Sequence, residues 1–159
     1  MKINLDAMQK ALSVNDTLPA GGYVCKIHEI EDKPDIQCLK VTYDIEEGDY
    51  SGYFGVPTGG FHPGVFHACY KDTALSFFAK FIGAVEESNS DYKFDSENEH
   101  EMVGKLVGLV LREEEYLDKQ KDIKIKLGVG KYTSVDKIRA GNYPEFGLKP
   151  LKNNTFGRI

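Results

Sequence analysis

Alternating apolar and polar residues are the main pattern in this chain, and they predict a protein built largely from β-strands. The pattern is clearest in residues 38–45, where Leu, Val, Tyr and Ile occupy every second position. Residues 23–30 and 122–131 show the same period of two. A glycine-interrupted segment at residues 50–56 and a mostly apolar segment at residues 103–112 predict two further strands. Five strands are therefore expected.

One segment has helical spacing instead. In residues 73–87 the apolar side chains recur at positions i, i+3, i+7 and i+10, which is typical of an amphipathic helix. These side chains are Leu75, Phe78, Ile82 and Val85. A loop rich in glycine and aromatic residues, at residues 57–70, precedes this helix. Short helices are also predicted near both ends of the chain, the second over residues 135–139 behind a capping Ser134.

The order of these elements predicts the fold. Three strands, a loop, one helix and two more strands form the order of the OB-type barrel, a five-stranded Greek-key barrel, and a general α+β roll is the alternative. The chain's 159 residues suit one domain with its own core. We therefore expect a mainly β domain with one main helix. It would consist of a helical lead-in at residues 1–17, the barrel at 18–132, and a short helix with an extended tail at 133–159.

Cysteine and histidine positions do not predict a metal site or any other cofactor. The chain has three cysteines, Cys25, Cys38 and Cys69. Because the number is odd and no two of them form a C-x-x-C pair, we expect buried, reduced thiols. His62 and His67 lie near Cys69, but no fourth ligand has suitable spacing.

The sequence has no apolar run long enough to cross a bilayer and no secretion signal. A cytoplasmic location in a bacterial host, away from membranes, is expected.

Charge is distributed unevenly along the chain. Residues 1–102 hold 8 Lys/Arg and 18 Asp/Glu, whereas residues 103–159 hold 12 and 7. This asymmetry favours a surface that faces a polyanion, although solvated surface charge explains it equally well.

Binding of single strands needs cations for phosphates and aromatic faces for bases. The candidate cations are Lys40, Lys124, Lys126 and Lys131, with Lys124 and Lys126 at the electrostatic centre. The candidate aromatic residues are Tyr53, Phe54, Phe61, Phe66 and Tyr132, of which Tyr53 and Phe54 fit core packing as well.

Six segments together resemble a known family. They are residues 18–23 (LPAGGY), 43–48 (YDIEEG), 77–89 (FFAKFIGAVEESN), 104–108 (GKLVG), 112–116 (REEEY) and 134–141 (SVDKIRAG). They are similar to small phage and prophage proteins described as single-stranded DNA-binding proteins. The resemblance implies an OB-like barrel that binds single-stranded DNA, with RNA as the other ligand to test. It also implies work with phage replication or recombination proteins, and homo-oligomers are compatible with it. The basic end of the chain lacks the acidic tip of cellular single-strand binders.

Two other function classes stay open. A metal-dependent nuclease that assists phage recombination would use carboxylates such as Glu113, Glu114 or Glu115. A virion or adaptor module would bind protein instead. Because the sequence has no P-loop, no G-x-S-x-G and no H-E-x-x-H motif, we expect a binding protein rather than an enzyme.

Overall fold

The computed structural model describes residues 1–6, 8, 18–56 and 64–151. The strands in this part of the chain are β1 (Gly21–Lys33), β2 (Cys38–Ile45), β3 (Gly64–Cys69), β4 (Leu106–Leu117) and β5 (Ile123–Thr133). The helices are α1 (Leu75–Ser88), preceded by a 3-10 turn at Asp72–Ala74, and α2 (Val135–Arg139), with a further 3-10 turn at Glu99–Met102. No helix among the described residues has the length and hydrophobicity needed to cross a membrane. Most of the predicted lead-in at residues 1–17 lies outside the described residues.

All five strands form one antiparallel sheet in the order β3-β2-β1-β4-β5. The long strand β1 is shared, because residues 25–33 pair with β2 whereas residues 21–26 pair with β4. The sheet does not close, so β3 and β5 are its two edges. The mainly β class and the place of the main helix between the third and fourth strands are confirmed.

The core lies between one face of the sheet and α1. Phe81 and Val85 of α1 are fully buried in a core to which all five strands contribute. The rings of Phe66 on β3 and Tyr132 on β5 have centroids 5.4 Å apart, so aromatic packing bridges the two sheet edges. Asn89 ends α1, and its side-chain amide donates to the carbonyl of Leu106 at 2.8 Å, which ties the helix end to β4.

The third strand is not where the sequence placed it. Residues 50–56 form turns, in which Gly52 and Gly55 have positive φ angles of 75° and 65°, a conformation that an extended strand does not allow. The buried carboxylate of Asp44 holds these turns, since it accepts from the backbone N–H groups of Phe54 at 2.9 Å and Val56 at 3.0 Å. The third strand is Gly64–Cys69, inside the predicted loop. The rest of that loop, residues 57–63, lies outside the described residues.

The far half of the β4–β5 hairpin extends past the core. We call residues 113–127 the hairpin arm. β1 pairs with β4 only as far as Leu111, and Leu127 is the one arm residue that packs against the core. Ile123 and Ile125 are 50% and 55% exposed. The alternation in residues 122–131 predicts that these isoleucines face the core. That prediction was wrong, because alternation fixes which residues share a face but not whether that face is covered.

Two of the three cysteines form a disulfide. Cys38 on β2 and Cys69 on β3 are directly opposed in the sheet and are bonded to each other. The expected free thiols were therefore wrong for this pair, since a separation of 31 residues carries no information about strand register. Cys25 is free and buried, as expected, and burial raises the pKa of its thiol.

The described residues after α2, predicted to be an extended tail, are docked on the sheet. We call residues 141–151 the C-terminal segment. The ring of Tyr143 lies against Gly22, and that of Phe146 against Gly130. Lys149 donates its N–H to the carbonyl of Glu113 at 2.8 Å and accepts the N–H of Glu115 at 2.9 Å. The segment thus pairs with β4 where β1 no longer does.

Candidate nucleic-acid interface

A groove of about 850 Å³ lies between α1 and β5, at the seam where the two edges of the sheet fail to pair. We call it the α1–β5 groove. It continues over β5 to the C-terminal segment. Its cationic side chains are Lys80, Arg112, Lys131, Lys137 and Lys149, its aromatic ones are Phe77, Tyr132 and Phe146, and its remaining titratable ones are His67, Glu87 and Glu114.

The groove cations come from four helices and strands and, for Lys149, from the C-terminal segment. Lys80 is on α1, Arg112 on β4 and Lys131 on β5. Lys137 is on α2, whose first N–H, that of Val135, donates to the Ser88 hydroxyl at the end of α1 at 3.1 Å. The predicted cap is confirmed, since the Ser134 side chain accepts from the N–H of Lys137.

The positive charge of the groove is not neutralised internally. Across the described residues, none of its five cations lies within ion-pair distance of a carboxylate. Glu87 and Glu114 reduce the net charge without pairing with any of the five. An anion that enters the groove therefore meets cations with no ion pair to break.

Two aromatic rings at the groove each carry a cation on one side. Phe77 is 64% exposed, and the Lys80 Nζ lies 5.7 Å from its ring centroid. The Arg112 guanidinium carbon lies 5.1 Å from the ring centroid of Phe146. An aromatic ring beside a cation is the pairing that stacks a base and contacts its phosphate.

Tyr132 forms the floor of the groove rather than a stacking surface. Its ring packs on Phe66 and Phe81 with centroid distances of 5.4 Å and 5.3 Å. Burial raises its pKa to about 12, so the hydroxyl stays protonated and keeps a proton to donate.

Arg112 attaches the C-terminal segment to the groove. Its Nη2 donates to the carbonyl of Gly147 at 2.9 Å, in addition to the contact with Phe146. Its Nε is buried and has no acceptor among the described residues.

The acidic run Glu113, Glu114 and Glu115 is divided by the alternation of β4. The Glu114 carboxylate lies over Gly128, whereas Glu115 accepts the N–H of Leu151 at 3.1 Å on the C-terminal segment. The described residues contain no group of three side chains placed to hold a metal ion. The three carboxylates do not converge on one point, as a nuclease centre would require.

The predicted site residues are spread over several places. Lys131 and Tyr132 line the groove. Lys124 and Lys126 are exposed on the hairpin arm, where Lys126 Nζ lies 5.5 Å from the ring centroid of Tyr116. Lys40 is half-buried on β2, opposite His67 in register but outside the groove.

The remaining predicted aromatics do not form a common surface. Phe66 is only 8% exposed and belongs to the core. Tyr53 and Phe54 are half-buried and pack against the core, and the Tyr53 hydroxyl accepts the N–H of Leu18 at 3.1 Å. Phe61 lies outside the described residues. The interpretation that Tyr53 and Phe54 pack in the core therefore holds.

Sequence reasoning missed most of the groove. The residues that it did not single out are Phe77, Lys80, Arg112, Lys137, Phe146 and Lys149. The available signal was Phe77, a large apolar residue beside rather than on the buried stripe of α1, with Lys80 three positions later. Leu75, which was assigned to that stripe, is instead exposed. Phe146 and Lys149 gave no signal, because only the docked C-terminal segment brings them to the groove.

Comparison with known proteins does not assign a family. No protein-family profile matches the chain, and no curated protein matches it either. The likeness to phage single-stranded DNA-binding proteins stays a prediction from the six sequence segments.

Proposed function

We propose that this protein binds single-stranded DNA in the α1–β5 groove without strong sequence preference. The observation that carries the proposal is the set of five groove cations without ion pairs beside two aromatic rings. The strand order supports it as well, since OB-type barrels commonly hold oligonucleotides.

The groove residues divide into two roles. Lys80, Lys131, Lys137 and Lys149 contact phosphates, and Phe77 and Phe146 stack on bases. Stacking needs an exposed base face, which a duplex hides, so single strands are preferred. Each stacked base contributes about 1–3 kcal/mol. The lysines of the hairpin arm continue the positively charged surface beyond the groove. Lys126 connects the two regions, because it lies opposite Glu114, a groove residue, in the pairing of β5 with β4.

The biological setting rests on the sequence alone. A role in phage replication or recombination follows from the resemblance to that family. The cytoplasmic location is likewise a proposal. Because disulfides are rare in a reducing cytosol, thiol labelling of Cys38 and Cys69 in cells bears directly on it.

A fluorescence titration tests the function. Labelled single-stranded DNA, duplex DNA and single-stranded RNA are titrated at about 50 and about 200 mM salt. We expect single-stranded DNA to bind most tightly and every affinity to fall with salt. Tighter binding of RNA would keep the groove and change the ligand, whereas equal binding of duplex would contradict the stacking role.

A matched pair of variants locates the site. Lys131→Ala with Lys137→Ala should lower the slope of log affinity against log salt by about 1.4, since each phosphate contact to a single strand contributes about 0.7. Lys71→Ala with Lys93→Ala removes the same charge from exposed positions outside the groove. An equal loss in both double variants would show that net charge, not the groove, determines binding.

A further inference from the structure

We propose that the edge of β5 on the hairpin arm pairs with the same edge of a second copy when both copies occupy one DNA strand. The part of this inference that concerns DNA-bound copies rests on the proposed function. It explains why apolar residues are exposed on an arm that extends past the core.

The arm offers an unpaired strand edge. β5 is hydrogen-bonded to β4 on one side and is the last strand of the sheet on the other. Among the described residues, no backbone group outside β4 bonds to residues 123–127. An open edge of this kind pairs with another extended strand.

The apolar face of this edge is self-complementary. In an antiparallel pair centred on Ile125, each Ile123 lies opposite Leu127 of the other copy. The isoleucines of both copies, 50% and 55% exposed in the single chain, then lie together on one face. A two-fold axis makes such contacts in identical pairs, as an isologous interface requires.

Lysines on the opposite face make this pairing depend on DNA. The same register places Lys124 opposite Lys126 of the other copy, so four lysines meet on one face, where the Glu114 of each copy offsets only part of their charge. Like charges directly opposite each other oppose strand pairing, and a phosphate backbone along that face removes the opposition. The unbound chain therefore stays monomeric, and DNA-bound copies assemble side by side.

Two kinds of variant separate the lysines from the isoleucines. Ile123→Thr with Ile125→Thr removes the apolar face and keeps strand-forming residues, and Ile36→Thr changes an isoleucine of similar exposure in the β1–β2 turn. Lys124→Thr with Lys126→Thr removes the repulsion. All are full-length chains, studied by analytical ultracentrifugation with no DNA, with oligothymidylate of about 16 nucleotides, and with a strand of about 40 nucleotides, which has room for two OB-type sites.

Wild type and Ile36→Thr should be monomeric alone and on the short strand, and should fill the long strand cooperatively. The double isoleucine variant should bind the short strand normally and fill the long strand without cooperativity. The double lysine variant should self-associate without DNA. Unchanged cooperativity in the isoleucine variant, or a monomeric lysine variant, would overturn the inference. If no variant binds DNA, the proposed function fails, and self-association of the lysine variant still decides whether this edge pairs.

Discussion

The two ends of β5 carry the same alternation of residues in different surroundings. In residues 129–133, α1 and β3 lie close by, so Tyr132 packs on Phe81 while Lys131 borders the groove. In residues 123–126, lysines and isoleucines are both exposed, and only Leu127, at the end of this stretch, packs against the core. The comparison shows that one strand pattern produces a structured groove at one end and a projecting arm at the other, depending on what packs against it.

The largest expected difference between the two regions is in stability. Phe81→Ala empties a fully buried site beneath the groove and should lower the free energy of unfolding by about 3–5 kcal/mol. Ile125→Ala on the arm should change it by less than about 0.5 kcal/mol. Urea unfolding followed by circular dichroism measures both. A large loss for Ile125→Ala would mean that the arm is covered in solution.

High pH should weaken the fold at the groove floor. The pKa of Tyr132 is raised by burial from its ordinary value of 10.0 to about 12, so its protonated form is the one compatible with the fold. Its contribution is complete below pH 10 and is lost as the pH rises through about 12. A shift of this size corresponds to about 2–3 kcal/mol. Unfolding of wild type and Tyr132→Phe across this pH range measures it, and identical pH profiles would contradict the burial of the hydroxyl.

Two glycines that line the groove should respond in opposite directions. Gly130→Ala places a methyl group 2.8 Å from the Phe146 ring, which must move, and we expect a loss of about 1–3 kcal/mol together with weaker DNA binding. Gly83→Ala, in the middle of α1, meets nothing within 4 Å and should gain up to about 1 kcal/mol from helix propensity. Thermal unfolding and the DNA titration check both. Normal affinity in a folded Gly130→Ala protein would remove Phe146 from the interface.

The smallest effect concerns which lysines contact DNA on a short strand. Lys124→Thr with Lys126→Thr should lower the salt slope by less than the groove pair Lys131→Ala with Lys137→Ala does. A fall of about 1.4 for the arm pair would mean two full contacts there. It would restore the arm lysines as the electrostatic centre that the sequence predicts. Titration with an oligonucleotide that one copy fills provides the measurement.

The fold was predictable where local pattern and long-range structure agree. The alternation in residues 38–45 is strong, and β2 has those bounds. Residues 50–56 have strand-like composition, but Asp44 and two glycines at positive φ fix them as turns, and that requires the fold itself. The candidate site was predictable only at Lys131 and Tyr132, because the rest of the groove depends on how α1 and the C-terminal segment dock.

The disulfide gives the sheet a covalent connectivity that differs from its chain order. Cys38 and Cys69 join β2 to β3 and enclose the turns and the segment that lead from one strand to the other. A protease that cuts the chain once between these cysteines leaves two fragments that still form one molecule. Such nicked protein would migrate as a single species on a denaturing gel until a thiol reductant separates the fragments.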